Sequence, residues 1–294
     1  SMYRSCMKTN CSFLMVLLIG SLWTSMNAQG DSEIYALSIE TVDGKRSFGI
    51  PVNLSNNPGY DNQPSFFDQS TLLFSSSRNG QTDIALYSFN DNRKTWLSST
   101  KQGSEYSPLL IPNDEAVSAI RLDTTGLQRL YRYPLSRMAS RPLFQEAKIG
   151  YHVWVNAIQL VATVLVENRM DLVLANTEKE SIKTVYKNVG RSLHRIPNST
   201  KVSFVQTLEG KSTVYAIDPM NSKLEVLISL AFPITDMYWY SDSSFLYSIG
   251  DLINEVDIIT SNEKTFYQNQ SSSVSTITRI LVSPDKSKLI FVGE

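Results

Sequence analysis

The chain holds two histidines, His152 and His194, which lie 42 residues apart. Imidazole titrates near neutrality and is the commonest metal ligand, so this pair is the first place to look for chemistry. Two imidazoles alone do not make a catalytic metal site, which usually presents three protein ligands. Gln63 and Asp236 stand where they could complete a set, which would make His152 and His194 the core of a metal centre. The carboxylates Asp83 and Asp171 each follow a polar turn, Arg78-Asn79-Gly80 and Asn168-Arg169, where an Asp side chain accepts backbone N–H bonds. As acid–base groups they would instead have to face a second carboxylate across a pocket. A Ser/His/Asp triad would have to use His152 or His194, and neither has a local signature. No nucleophile elbow, phosphate loop, zinc-protease helix or dinucleotide fingerprint is present, and no cofactor is expected.

The elements that must position these residues are strands. After Gln29 the chain alternates short apolar runs with Asn, Asp, Ser, Gly and Pro, and no stretch holds a helical period for three turns. One run, Thr71-Leu-Leu-Phe-Ser75, recurs as Ala116–Ile120, Gln159–Thr163, Lys201–Val205, Ser244–Ser248 and Lys288–Val292. The fourth residues fall at 74, 119, 162, 204, 247 and 291, so the steps are 45, 43, 42, 43 and 44. Two further strand columns repeat in phase, beginning near Asp83 and Thr95 in the first unit. Four strands at this period are the signature of a propeller blade, a sheet that can bury its faces only against its neighbours. The last unit supplies two strands before the chain stops, and two unassigned strands, Glu33–Ser38 and Phe48–Val52, stand near the other end around the turn Asp43-Gly44. The expectation is an all-β, six-bladed β-propeller with four antiparallel strands per blade, closed by N- and C-terminal strands that share one blade.

The stretch Asn62-Gln-Pro-Ser-Phe-Phe-Asp-Gln-Ser-Thr-Leu-Leu-Phe-Ser-Ser-Ser-Arg-Asn-Gly-Gln-Thr-Asp-Ile-Ala-Leu-Tyr87 resembles the WD40-like (PD40) repeat of TolB-type propellers, as does Ser283-Pro-Asp-Lys-Ser-Lys-Leu-Ile-Phe291. The middle units depart from it, with Ile111-Pro-Asn-Asp-Glu115 in place of the usual Ser-Pro-Asp-Gly turn. The resemblance implies an exported module that docks proteins, with the loop entering each first strand on one rim of a central channel. His152 and His194 then fall in one column, ten residues before their reference positions. It also implies a rim set of Gln63, Tyr106, His152, Trp154, His194, Asp236, Tyr238 and Arg279, whose aromatic members suit partner anchoring or sugar stacking. Lyases of a related propeller type hold a divalent metal on channel histidines, which gives an alternative: a carbohydrate-active or metal-dependent enzyme, or a sugar binder, at the His152 and His194 rim.

Composition sets the remaining bounds. With 27 basic and 28 acidic residues among 294, the totals carry no electrostatic footprint for nucleic acid or anionic lipid. Arg4 and Lys8 precede the apolar run Phe13–Trp23, and small and polar residues follow to Ala28, so residues 1–28 read as a signal peptide with an upstream extension before Met7. That run is well short of the ~20 residues that span a bilayer as a helix. Both cysteines, Cys6 and Cys11, fall inside residues 1–28, which would leave a mature chain without disulfides, catalytic thiols or Cys-based zinc sites. Residues 31–294 are expected to form one domain, periplasmic or secreted, whose partner is another envelope or secreted protein or an oligosaccharide.

Overall fold

The computed structural model describes residues 30–294, so the signal-peptide reading of residues 1–28 lies outside the described residues. The described chain is all-β and arranged as six antiparallel sheets. Blade 1 runs through Asp61–Asp68, Thr71–Arg78, Gln81–Ser88 and Arg93–Trp96, paired in chain order from the innermost strand outward. Blades 2 to 5 repeat the pattern from innermost strands Gly103–Leu110, Ile149–Trp154, Leu193–Arg195 and Tyr238–Trp239. Among the described residues no helix is long and apolar enough to cross a membrane.

The repeated run is the second strand of each blade, and its burial explains why it was the clearest signal in the sequence. Leu72 to Ser76 are buried without alternation, because both faces of the sheet are covered by neighbouring blades. Phe74, Phe204, Tyr247 and Phe291, four of the reference positions, are among the largest fully buried side chains. Tight turns join these strands to the next. Asn79 and Gly80 both adopt positive φ, 51° and 79°, as a two-residue hairpin turn requires.

The ring closes through a composite blade. Ile277–Val282 and Lys288–Gly293 form its inner half, and Glu33–Val42 pairs with Lys288–Gly293 in the register Tyr35 to Phe291. The two rings stack at 5.2 Å and 15°. The outer edge differs from the single strand expected over Phe48–Val52: it is split into Lys45–Phe48 and Val52–Asn53, each paired with the same long strand. The break has a local cause. Pro51 offers no N–H to a ladder, and a side chain at Gly49 would collide with the Ser38 hydroxyl.

Adjacent blades are tied by buried polar contacts set into apolar surfaces. Trp154 on blade 3 donates its indole N–H to Ser118 Oγ on blade 2 at 2.8 Å, and Trp239 on blade 5 donates to Ser203 Oγ on blade 4 at 2.8 Å. Asp83 and Asp171 do accept backbone N–H bonds, both at 3.1 Å, but from Thr100 and Asn188 in the crossovers to the next blade. They also pair with Arg78 and Arg169 at 2.8 Å.

Candidate functional site at the channel mouth

The site is built where the chain enters the innermost strands. Four of these strands bulge, among them those of blades 1 and 2, between Asn62 and Ser65 and between Tyr106 and Leu109. Gln63 and Ser107 take positive φ of 56° and 52° there, and Gln63 Oε1 accepts the Ser107 N–H at 2.7 Å. Such bulges bend a strand and re-aim its side chains. Here Tyr106 meets Tyr60 edge-on with ring centroids 6.0 Å apart.

Two cavities adjoin at this end. One, of about 320 Å³, is lined by Gln63, Tyr106 and Tyr151 on its polar side and by Ile120, Leu122, Leu165 and Met170 on its apolar side. The other, of about 570 Å³, is lined by Asn62, Ser248, Thr276, Thr278 and Glu294. Tyr60, Arg191 and Arg279 line both, so the two are lobes of one depression that meet at a pair of guanidinium groups.

The electrostatics of the mouth are lopsided. Asp236 accepts hydrogen bonds from Ser192 Oγ and its neighbour's Met237 N–H, both at 2.9 Å, and lies 3.4 Å from His194 Nε2. Burial works to raise its pKa, but the His194 hydrogen bond and the charges of His194, Arg279 and Arg191 outweigh it and hold the carboxyl down at about 2. Arg279 approaches that carboxylate only to 3.9 Å, and Arg191 uses one nitrogen on Thr278 O at 2.8 Å. The Nε atoms of both arginines are buried without a protein partner. Burial, and then the charge of Arg279, push the Arg191 guanidinium below its ordinary value. Burial likewise pushes the hydroxyls of Tyr60 and Tyr238 up to about 12, so both stay protonated donors.

The structure gathers Gln63, Tyr106 and Arg279 at the lobes, with Asp236 and its partner His194 behind Arg279; Tyr238, whose ring meets His194 edge-on at 5.7 Å, opens instead on a separate cavity with Pro197, Asn198 and Pro284. His152 and Trp154 lie elsewhere, buried between blades 2 and 3 at 6% and 4% exposure. His152 Nε2 sits 2.7 Å from the Ser118 hydroxyl that accepts the Trp154 indole, and burial pushes its pKa down to about 3. The equal sequence spacing of the histidines does not survive as equal register. His152 faces reference residue Ala162, whereas Leu193 faces Phe204 and His194 faces Ser203. A one-residue shift turns a side chain to the other face of its sheet. Among the described residues no group of three His, Cys, Asp or Glu side chains is placed to hold a metal ion. Tyr60, Tyr151 and Arg191 complete the mouth, and only their position at entries to innermost strands could have marked them in the sequence.

No family model and no curated protein matches the sequence. Solved structures match the fold. The structure of a putative TolB from Agrobacterium tumefaciens superposes with a TM-score of 0.67 at 12% identity, over 90% of this chain and 99% of that one. A chain of a nidogen–laminin complex gives 0.63 at 11% identity, over 90% and 99%. An oligogalacturonate lyase in complex with manganese gives 0.51 at 12% identity, over 90% and 98%. At such identities these proteins share with the chain its fold, a closed ring of six antiparallel blades.

Proposed function

We propose that this chain is an exported, non-enzymatic propeller of the cell envelope or secreted fraction that docks another protein at its channel mouth. The observation that carries the reading is the composition of that mouth: Tyr60, Tyr106, Tyr151, Arg191 and Arg279 converge on one open depression. Tyrosine and arginine dominate binding hot spots because they combine large contact area with directed hydrogen bonds. Likeness to a TolB and to a chain of a nidogen–laminin complex supports the same reading. Export rests on the charged and apolar pattern of residues 4–28.

The test is site-specific photo-crosslinking in the envelope and secreted fractions of the source cells. A photoreactive residue at Tyr151 should yield a discrete protein adduct, and one at Val226, exposed on the outermost strand of blade 4, should not. Equal labelling from both positions, or none from Tyr151, would overturn the reading. A second reading, an oligosaccharide at the same mouth, draws on the His194–Asp236 pair and the likeness to the lyase. Turnover of oligogalacturonate that is lost on His194→Asn would favour it over docking.

A further inference from the structure

The mouth concentrates positive charge that the fold neutralises only in part. Arg191 and Arg279 face the place where the two lobes meet, with His194 beside them. The acidic groups there are Asp236 and Glu294. Asp236 uses Oδ1 for Ser192, Met237 N–H and His194 and holds Oδ2 3.9 Å from Arg279, so one carboxylate faces two guanidinium groups, and Glu294 lies exposed on the lining of the larger lobe. Two guanidinium groups held close together while mostly out of water repel one another, and an unpaired buried charge is costly to keep. Their Nε atoms are without protein partners, whereas the arginines of the blade surfaces at 78, 132 and 169 are each paired to a carboxylate. A carboxylate offers the two parallel oxygens that a guanidinium fork matches.

The neighbouring wall says what carries that carboxylate. Ile120, Leu122, Leu165 and Met170 line the smaller lobe, and Leu165 keeps 37% of its surface exposed. An apolar side chain of a peptide fills such a wall, whereas a sugar acid would set hydroxyl groups against it without hydrogen-bond partners. We infer that the mouth is a receptor for an acidic–apolar peptide segment of the docked partner, its carboxylate held between Arg191 and Arg279 and its adjacent apolar side chain on Leu165 and Met170. This deepens the docking reading and rests on it for the identity of the partner as a protein.

The probes are a blocked decapeptide with two adjacent glutamates flanked by leucines in a Gly-Ser background, its Glu→Gln counterpart, and trigalacturonate. Calorimetry on the mature chain should show the glutamate peptide binding at least tenfold more tightly than the glutamine peptide. Arg279→Gln and Arg191→Gln should each weaken it at least tenfold, and Lys45→Gln, on the outer edge of the composite blade, should leave it unchanged. Arg279→Lys provides a milder substitution if either glutamine variant fails to fold, and it should weaken binding by several-fold because the fork is lost. Binding that ignores all the arginine substitutions would overturn the site. Trigalacturonate binding as tightly as the peptide, with the same losses, would overturn the peptide assignment. The two proposals fail separately: a Tyr151 adduct that persists undiminished in Arg279→Gln sinks the carboxylate anchor and leaves docking intact, while peptide binding lost with the arginines supports the anchor even without an adduct.

Discussion

The two histidines mark two regions of opposite character. His152 lies in a dry seam between blades 2 and 3, against Ser118 and Trp154, and burial keeps it neutral. His194, with a quarter of its side chain exposed, stands at the channel mouth beside Asp236 and within reach of solvent. In the seam Ser118 serves both neighbours, and the one ring nitrogen left over, His152 Nδ1, is sealed between blades without a partner. At the mouth the atoms left over belong to two charged guanidinium groups that line an open depression. The same residue type is therefore structural in one place and available in the other, and the difference comes from which face a one-residue register step presents.

The seam is where substitutions should cost most. Trp154→Ala removes a fully packed indole and one of the two partners of the Ser118 hydroxyl, so a loss of about 3–5 kcal/mol in denaturant unfolding is expected. Binding at the mouth, measured where the variant is still folded, should not change. If binding falls as much as stability does, the two regions are not separable.

Acid and base should then distinguish them further. Burial pushes Glu105, held by Thr100 and Tyr133 near the start of blade 2, up to about 7. The folded chain keeps that proton while the unfolded chain releases it near 4.5, so stability should fall as pH rises from 4.5 to 7, by on the order of 3 kcal/mol, and then level off. His152 acts the other way: the unfolded chain takes up a proton below 6.5 that the buried ring refuses until about 3, so stability should fall as pH drops through that window. Asp236, held down at about 2, should contribute a loss only between 3.8 and 2. Unfolding curves from pH 3 to 8 on wild type, Glu105→Gln and His152→Gln check this, with each variant expected to flatten its own limb.

Smaller effects complete the contrast. Ser118→Ala should cost about 1–2 kcal/mol, since it leaves an indole donor and a ring nitrogen unpaired. His194→Asn, a partly exposed ion-pair partner, should cost less than about 1 kcal/mol in stability. Its effect should appear in binding at the mouth instead.

The sequence showed the blade architecture because second strands are buried on both faces and so repeat as apolar runs at constant spacing. Ring closure was legible too, from two strands left over at each end, and the structure pairs Glu33–Val42 with Lys288–Gly293. The candidate site was only partly legible. Innermost strands bulge at Asn62/Ser65, Tyr106/Leu109, Ile149/Tyr151 and Ile277/Arg279, and each irregularity resets which side chains face the channel. Counting residues therefore grouped His152 with His194 and missed Tyr60 and Tyr151. Arg191 is a lone arginine in a short loop, and its partner Thr278 lies 87 residues away, a contact that only the closed ring creates.

Amide hydrogen exchange, compared between the free chain and the chain bound to its crosslinked partner, tests the assignment of the mouth most directly. Slowed exchange is expected at residues 60–63, 191–195, 235–238 and 277–280, with the outer strands near 182 and 226 unchanged. Protection confined to those outer strands, with the channel entries exchanging as before, would contradict it.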